Sequence, residues 1–331
     1  MKVLVTGGTS LIGRHTVDVL VRRGHDVTTL QRTPDDASPD LRALAGSIAD
    51  ADAVASACAD QDAVIHLAAK VGVTGEWTEY ERTNVAGTAL LVRTARAAGV
   101  GRFVHVSSPS VAHAGDPLVG AAAAPADPGS TRGHYATSKA IAELTALEAS
   151  SADMPVVSIR PHLVWGPGDT QLVGRIVERA RGGRLAVVGS GTALVDTTYV
   201  TNAADALVAA LDRAPTLGGR AFVVSNGEPS TVLELFTRIA GAAGAHTAPR
   251  RIPTRLAVAG GSVAEFIWAR TGRVDDPPMT SFLAEQLSTA HWFDQRATRA
   301  SLDWEPAVPL DEGFRHLTDW YAARLGAPTH A

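Results

Sequence analysis

Cysteine and lysine are the scarcest reactive residues in this 331-residue chain. A single cysteine, Cys58, excludes an internal disulfide and any cysteine-based zinc cluster. It sits in an Ala-rich helical stretch and reads as buried filler rather than a nucleophile. The histidines lack the i, i+4 spacing around a glutamate that a zincin helix needs, so no metal is expected. Long apolar runs are also missing. The longest late one, Leu256 to Ala269, holds two glycines and Glu265 and is too short for a bilayer. No charged n-region or cleavage site precedes Val3, so the expectation is a cytoplasmic protein. A formal net charge of -4 gives no electrostatic case for nucleic acid or an anionic membrane.

What remains is an ordinary globular composition, 45% apolar and 19% charged. The length predicts one large domain or a domain with an unequal second lobe. Strand-like runs at Lys2 to Thr6, Asp26 to Leu30, Ala63 to Leu67, Arg102 to Val106 and Val156 to Ile159 alternate with helical spacing. The helical stretches are Leu11 to Arg23, about 76–98 and about 134–151. Such alternation predicts an α/β fold, a doubly wound parallel sheet of Rossmann type. After Pro161 the pattern loosens into Gly- and Pro-rich loops, and a segment from about 250 to 293 carries several aromatics. The expected division is a dinucleotide-binding domain over 1–165 with part of 190–225. A smaller substrate lobe covers 166–189 and 226–331, at the carboxyl ends of the strands.

Between the first strand and first helix the chain reads VTGGTSLIG, with Gly7, Ser10 and Gly13 where a dinucleotide turn carries three glycines. The strand-to-helix context favours a cofactor site over a plain tight turn, because helix N–H groups there face a pyrophosphate. Gly7 permits the turn and Gly13 close packing. Ser10 suits a helix N-cap, or alternatively reaches a cofactor phosphate with Arg14 and Arg32 nearby. The second strand ends Gln31-Arg32 with no acidic residue for a ribose 2′-OH, which favours NADP(H) over NAD(H).

Downstream, HYATSKAIAELTALEA places Tyr135 and Lys139 one turn apart on a helix face. With only three lysines (Lys2, Lys70, Lys139) against 27 arginines, that pairing is improbable by composition alone. An ammonium beside the phenol lowers its pKa, so Tyr135 is a candidate general acid to a carbonyl oxygen. Ser107 and Ser108 close the preceding strand, where a hydroxyl donates to the same oxygen.

These stretches, with AVIHLAAK, TNVAGT, VSSPSV, IRPHLVWGPGD, DTTYVTNAADA and LDWEPAVPLDEGF, resemble the extended short-chain dehydrogenase/reductases from end to end. AAKVGVTGEW, VSNGEPSTVLEL and PPMTSFLAEQLSTAHWF resemble their 3β-hydroxysteroid dehydrogenase-like branch, and within it the bacterial 2-alkyl-3-oxoalkanoate reductases. The resemblance implies an NAD(P)-dependent oxidoreductase with catalytic Ser108, Tyr135 and Lys139. It implies cofactor contacts from Gly7, Thr9, Ser10, Leu11, Ile12, Gly13, Gln31, Arg32, Ser47, Ile48, Leu67, Ala68, Ala69, Lys70, Asn84, Val106, Tyr135, Lys139, Pro161, His162 and Leu163. Two positions depart from the family pattern. Ser10 replaces the middle glycine, and Ser47 stands where many relatives set an aspartate against adenine.

Trp77, Trp165, Tyr199, Phe282 and Trp292 are candidates for an apolar substrate pocket, with Ser108 and His162 at its polar end. The arginines at 175, 179, 181 and 184 are the alternative, a sugar-nucleotide site or the solvated side of a helix. The leading expectation is NADPH-dependent reduction of a long-chain 2-alkyl-3-oxo acid, its carboxylate held by His162 or a C-terminal arginine. A 3β-hydroxysteroid or sterol dehydrogenase using NAD is the second reading. A non-catalytic NADP-binding sensor or scaffold is the third. The resemblance also implies a homodimer packed through helices near 84–98 and 134–151.

Overall fold

The computed structural model of the chain describes residues 1–33, 41–72, 75–113, 115–246, 248–271, 277 and 279–325. Residues 73–74, 272–276, 278 and 326–331, which fall in stretches used above for the branch likeness and the smaller lobe, lie outside the described residues.

The β-branched runs of the first half form strands buried on both faces, as a parallel sheet covered by helices requires. In chain order these are β1 (Lys2–Thr6), α1 (Leu11–Arg22), β2 (Asp26–Gln31), β3 (Leu41–Ala45), α2 (Ala51–Cys58) and β4 (Ala63–His66). Then come α3 (Trp77–Tyr80), a π-helical turn Glu81–Ala86, α4 (Gly87–Ala97), β5 (Arg102–Val106), a 3₁₀ turn Pro109–Ala112, β6 (Leu118–Ala121), α5 (Gly133–Glu148) and β7 (Val156–Pro161). A seven-stranded parallel sheet runs Arg220–Val224, β7, β5, β4, β1, β2, β3. Its strand order reverses beside β1, and the crevice outside the carboxyl ends at such a point is where open α/β sheets bind ligands. One face is sealed by α1 and the helix Val200–Leu217 around Val5, Leu20 and Leu207. The other is sealed by α2, α4 and α5 around Leu4, Leu91 and Phe103. Cys58 lies in that second layer, and burial pushes its thiol up to about 11.

The expected helix over 76–98 is interrupted by the π turn, which buries Asn84. π turns are rare and mostly single-turn insertions in α-helices, and helical apolar spacing alone does not distinguish one here. A second sheet joins Ser230–Thr231, Leu194–Val195, His291–Phe293 and β6. It carries the late strand His291–Phe293 back beside β6, close to the carboxyl edge of the main sheet. Among the described residues no helix is long and apolar enough to cross a membrane.

Candidate active site

The glycine turn is shaped by backbone contact. Gly7 has φ 76°, and a Cβ there would stand 2.8 Å from the Ala68 nitrogen. A Cβ on Gly13 would stand 2.3 Å from the Gly7 carbonyl oxygen, so the first turn of α1 packs against the loop with no side chain between them. Ser10 is the N-cap of α1. Its hydroxyl accepts from the Gly13 N–H at 3.0 Å and donates to the Gly7 carbonyl at 2.9 Å. Thr9, Leu11 and Ile12 are half-buried around it, and Arg14 is exposed.

At the end of β2 the Gln31 side chain is buried, and its Oε1 has no hydrogen-bond partner among the described residues. Arg32 beside it is exposed. Ser47 Oγ accepts from the Ala49 N–H at 3.2 Å. The Ile48 side chain packs into the core beneath Gly87, which leaves only its backbone for a ligand. After β4, Ala68 N–H donates to Thr6 Oγ1 at 3.2 Å. Asn84 holds the Lys70 backbone from both sides, accepting its N–H at 2.7 Å and donating to its carbonyl at 3.0 Å. A third bond, from Asn84 Nδ2 to Ser138 Oγ at 2.9 Å, ties this loop to α5. The glycine cradle, the opening of α1 and the unpartnered Gln31 oxygen fit a dinucleotide.

A cavity of about 960 Å³ opens past this edge. Lys70, Ser108, Tyr135, His162, Leu163 and Phe282 are among its lining residues. Ser108 and Tyr135 thus share one wall, although Lys139 lies behind it. The Lys139 ammonium is buried and donates to the Val106 carbonyl at 2.6 Å, with His105 Nε2 at 3.4 Å. The expected lowering of the tyrosine by the lysine is therefore not what the geometry does. Burial raises the Tyr135 phenol, with hydrogen bonding to Ser108 pulling the other way. Burial also takes Lys139 down to about 8, against the opposing charge of Glu143.

Several neighbours lie in the stretches quoted above or beside them, yet nothing in their spacing assigns them a role. His105 stacks on His66 at 5.6 Å, and His66 bridges Thr6 at 2.7 Å and Thr88 at 2.9 Å. Burial and the Lys139 charge hold His66 down to about 3, so a neutral polar column underlies the lysine. Glu143, one turn beyond Lys139, forms a fully buried pair with Arg160 of β7, and Ser158 donates to the same carboxylate at 3.0 Å. Arg160 also donates to the Ala124 carbonyl at 2.7 Å. This network fixes the helix that presents Tyr135. A glutamate and an arginine 17 positions apart give no periodic signal before the fold is known.

Not every expected pocket residue is there. Trp165 and Tyr199 are core residues of the second cluster: Trp165 stacks on Phe314 at 4.4 Å, meets the edge of Tyr199 at 5.5 Å and donates to Thr197 Oγ1 at 3.0 Å. Their size and apolar area are used to fill that core. Trp77 packs on His134 at 5.8 Å, and Trp292 covers Gly120 on the second sheet; neither is among the described lining residues. Pro161 ends β7 just short of the cavity. Arg175, Arg179, Arg181 and Arg184 are also absent from the described lining, which lies elsewhere than the helix Val173–Arg181.

A dinucleotide cradle at the switch point of a Rossmann sheet, with a hydroxyl and a phenol at its carboxyl edge, defines a nicotinamide-dependent oxidoreductase. The sequence matches the NAD dependent epimerase/dehydratase family over residues 3–225, and the chain belongs to that family. It is 41% identical over 324 residues to the 2-alkyl-3-oxoalkanoate reductase of Stenotrophomonas maltophilia (strain K279a), covering 96% of this chain and 98% of the relative. The 3-beta-hydroxysteroid dehydrogenase of Mycolicibacterium neoaurum is 30% identical over 336 residues, covering 97% and 91%. Among solved structures, MoeE5 in complex with UDP-glucose and NAD superposes with a TM-score of 0.74 at 25% identity, covering 98% of this chain and all (100%) of that one.

Proposed function

We propose that this enzyme reduces the 3-keto group of a long-chain 2-alkyl-3-oxo acid to the 3-hydroxy acid with NADPH, NADH being the weaker donor. Residues 1–165 with part of 190–225 hold the cofactor, and 166–189 with 226–331 close over the substrate. Bound, the nicotinamide supplies a hydride to the carbonyl carbon. Tyr135 donates the proton to the carbonyl oxygen, and Ser108 donates a hydrogen bond to that oxygen as negative charge develops on it. A phenol held protonated by burial suits this direction, because a general acid must still carry its proton at neutral pH. Lys139 holds the loop after β5 through the Val106 carbonyl, and its ammonium would hold the ribose of a bound nicotinamide nucleotide.

The cavity carries this reading. It is roomy at about 960 Å³, it passes from Ser108 and Tyr135 to Phe282 and Pro277, and the helix arginines that would suit a sugar diphosphate lie off its lining. The relative at 41% identity supports the same substrate class. Exposed Arg32, with Gln31 in place of an acid, supports a 2′-phosphate on the cofactor. A homodimer through the π turn, α4 and α5 accompanies the proposal, supported by Leu144 of α5, 42% exposed on that face; sedimentation velocity tests it. The test of function is a spectrophotometric assay of 2-alkyl-3-oxo acids against a 3β-hydroxysteroid panel, each with both nicotinamides. Turnover confined to sterols with NAD overturns the proposal.

A further inference from the structure

The wall of the cavity beyond Ser108 is built of three imidazoles from three separate elements. His113 follows the 3₁₀ turn that Ser108 caps, His162 follows β7, and His291 opens the strand His291–Phe293. His113 and His291 meet edge to face with ring centroids 5.0 Å apart, and His162 sits edge-on to Phe293 at 5.1 Å. His113 is 4% exposed and His291 5%. His291 is already engaged, with Nε2 at 3.1 Å from Thr289 Oγ1. Nε2 of His113 and Nδ1 of His162 are buried and have no hydrogen-bond partner among the described residues.

Burial holds all three rings below the ordinary histidine range, His162 at about 3 and His291 at about 4. Asp116 pulls His113 up and Arg132 pushes it down; the other two rings push His162 down, against a hydrogen bond to the Asp196 backbone that pulls it up. The rings are therefore neutral at neutral pH, and each carries a single N–H. That of His162 is engaged by the Asp196 backbone, which leaves its Nδ1 an acceptor, whereas Nε2 of His113 can carry the proton of its ring. A buried polar atom left unpaired destabilises the empty site, a cost recovered when a ligand bonds to it. The rings are not set as metal ligands, since among the described residues no group of three His, Cys, Asp or Glu is placed to hold an ion. The nearby cations are committed: Lys70 pairs with Glu79 at 2.9 Å, and Arg132 pairs with Glu285.

We infer that His113 forms the subsite for the substrate carboxylate, donating its Nε2–H to it, with His162 lining the same wall and His291 packing behind His113. This rests on the β-keto-acid reading above. In a 3-oxo acid the carboxyl carbon is two atoms from the carbonyl carbon, so the groups that bind the two must be neighbours. Ser108 and His113 flank one 3₁₀ turn and both face the cavity. That hydrogen bond would select acids over esters and fix which end of the substrate meets Tyr135.

The test uses the stable direction, oxidation of a 2-alkyl-3-hydroxy acid and of its methyl ester by the full-length enzyme with NADP⁺ or NAD⁺. His113→Phe is expected to lower the acid-to-ester ratio of kcat/KM by about 10- to 100-fold, the range of one hydrogen bond to a charged group. His113→Gln keeps an N–H donor and should recover most of that ratio, which a loss of packing would not allow. Equal losses on acid and ester, or an unchanged ratio, overturn the subsite while the wild-type activity on the acid leaves the proposed function standing. Wild-type enzyme inactive on both acid and ester, but active on sterols, overturns both.

Discussion

The cofactor turn and the substrate cavity stand at the same edge of one sheet and are built in opposite ways. The turn is made of backbone: Gly7, Gly13 and Ser10 lie within seven residues, and their shape follows from φ at Gly7 and a missing Cβ at Gly13. The cavity is made of side chains from five separate stretches of the chain, Lys70 and Glu79, Ser108 and His113, Arg132 and Tyr135, His162, and Phe282 and His291 among them. A site of the first kind tolerates changes in side chain while its glycines stay. A site of the second kind depends on how distant segments are clamped together, and here the clamp is the buried Glu143–Arg160 pair between α5 and β7.

The sharpest way to separate the two regions is Tyr135→Phe. It should cut kcat by about 10²–10⁴-fold, the usual share of a positioned proton donor. Titration of cofactor fluorescence should show binding nearly unchanged. A variant that keeps most of its turnover ends the assignment of Tyr135.

Next in size is Arg160→Met, which strips the partner from a carboxylate that is 1% exposed. A buried charge left alone costs about 3–5 kcal/mol, read from urea unfolding. Because α5 serves both regions, this variant should weaken cofactor binding and catalysis together. Selective loss of one would show that α5 is held by something else.

A smaller effect belongs to Lys139. Burial has lowered it to about 8 in the folded protein, against ~10.4 unfolded. Below pH 8 the ion is charged in both states and its burial opposes folding. Between these values the unfolded chain holds the extra proton, so stability rises with pH across that window. Lys139→Met should flatten that rise in a series of thermal melts, and an identical slope in the variant would refute the lysine's part in it.

The smallest effect is expected at Ser10. Replacing an N-cap serine by glycine changes stability by only a few tenths of a kcal/mol. Ser10→Gly should therefore move the cofactor KM modestly and leave kcat alone, since its hydroxyl bonds only to Gly7 and Gly13. A collapse of kcat would mean that the turn reaches into the chemistry, and the contrast between the two regions would fail.

The legible parts of this protein share one property: they are local. Strand–helix alternation, the turn from Gly7 to Gly13 and the spacing of Tyr135 and Lys139 all lie within a few helical turns of chain. Periods of 2 and 3.6, and the conformational needs of glycine, are written directly into such stretches. Residue spacing put Tyr135 and Lys139 on one helical face, but it was burial and the Val106 carbonyl that decided which atom the ammonium meets. Trp165 and Tyr199 looked like pocket residues because aromatic area serves a core and a pocket equally well, and only packing on Phe314 settled which. His113 and His291 are 178 positions apart, and nothing in the order of residues sets them 5.0 Å from each other. The amino-acid sequence by itself determined the sheet, the glycine turn and the one-turn spacing of Tyr135 and Lys139, whose physics is short-range along the chain. The cavity wall, the clamp beneath it and the proton affinities of the buried groups were decided by tertiary structure, because desolvation and pairing exist only once distant residues are brought together.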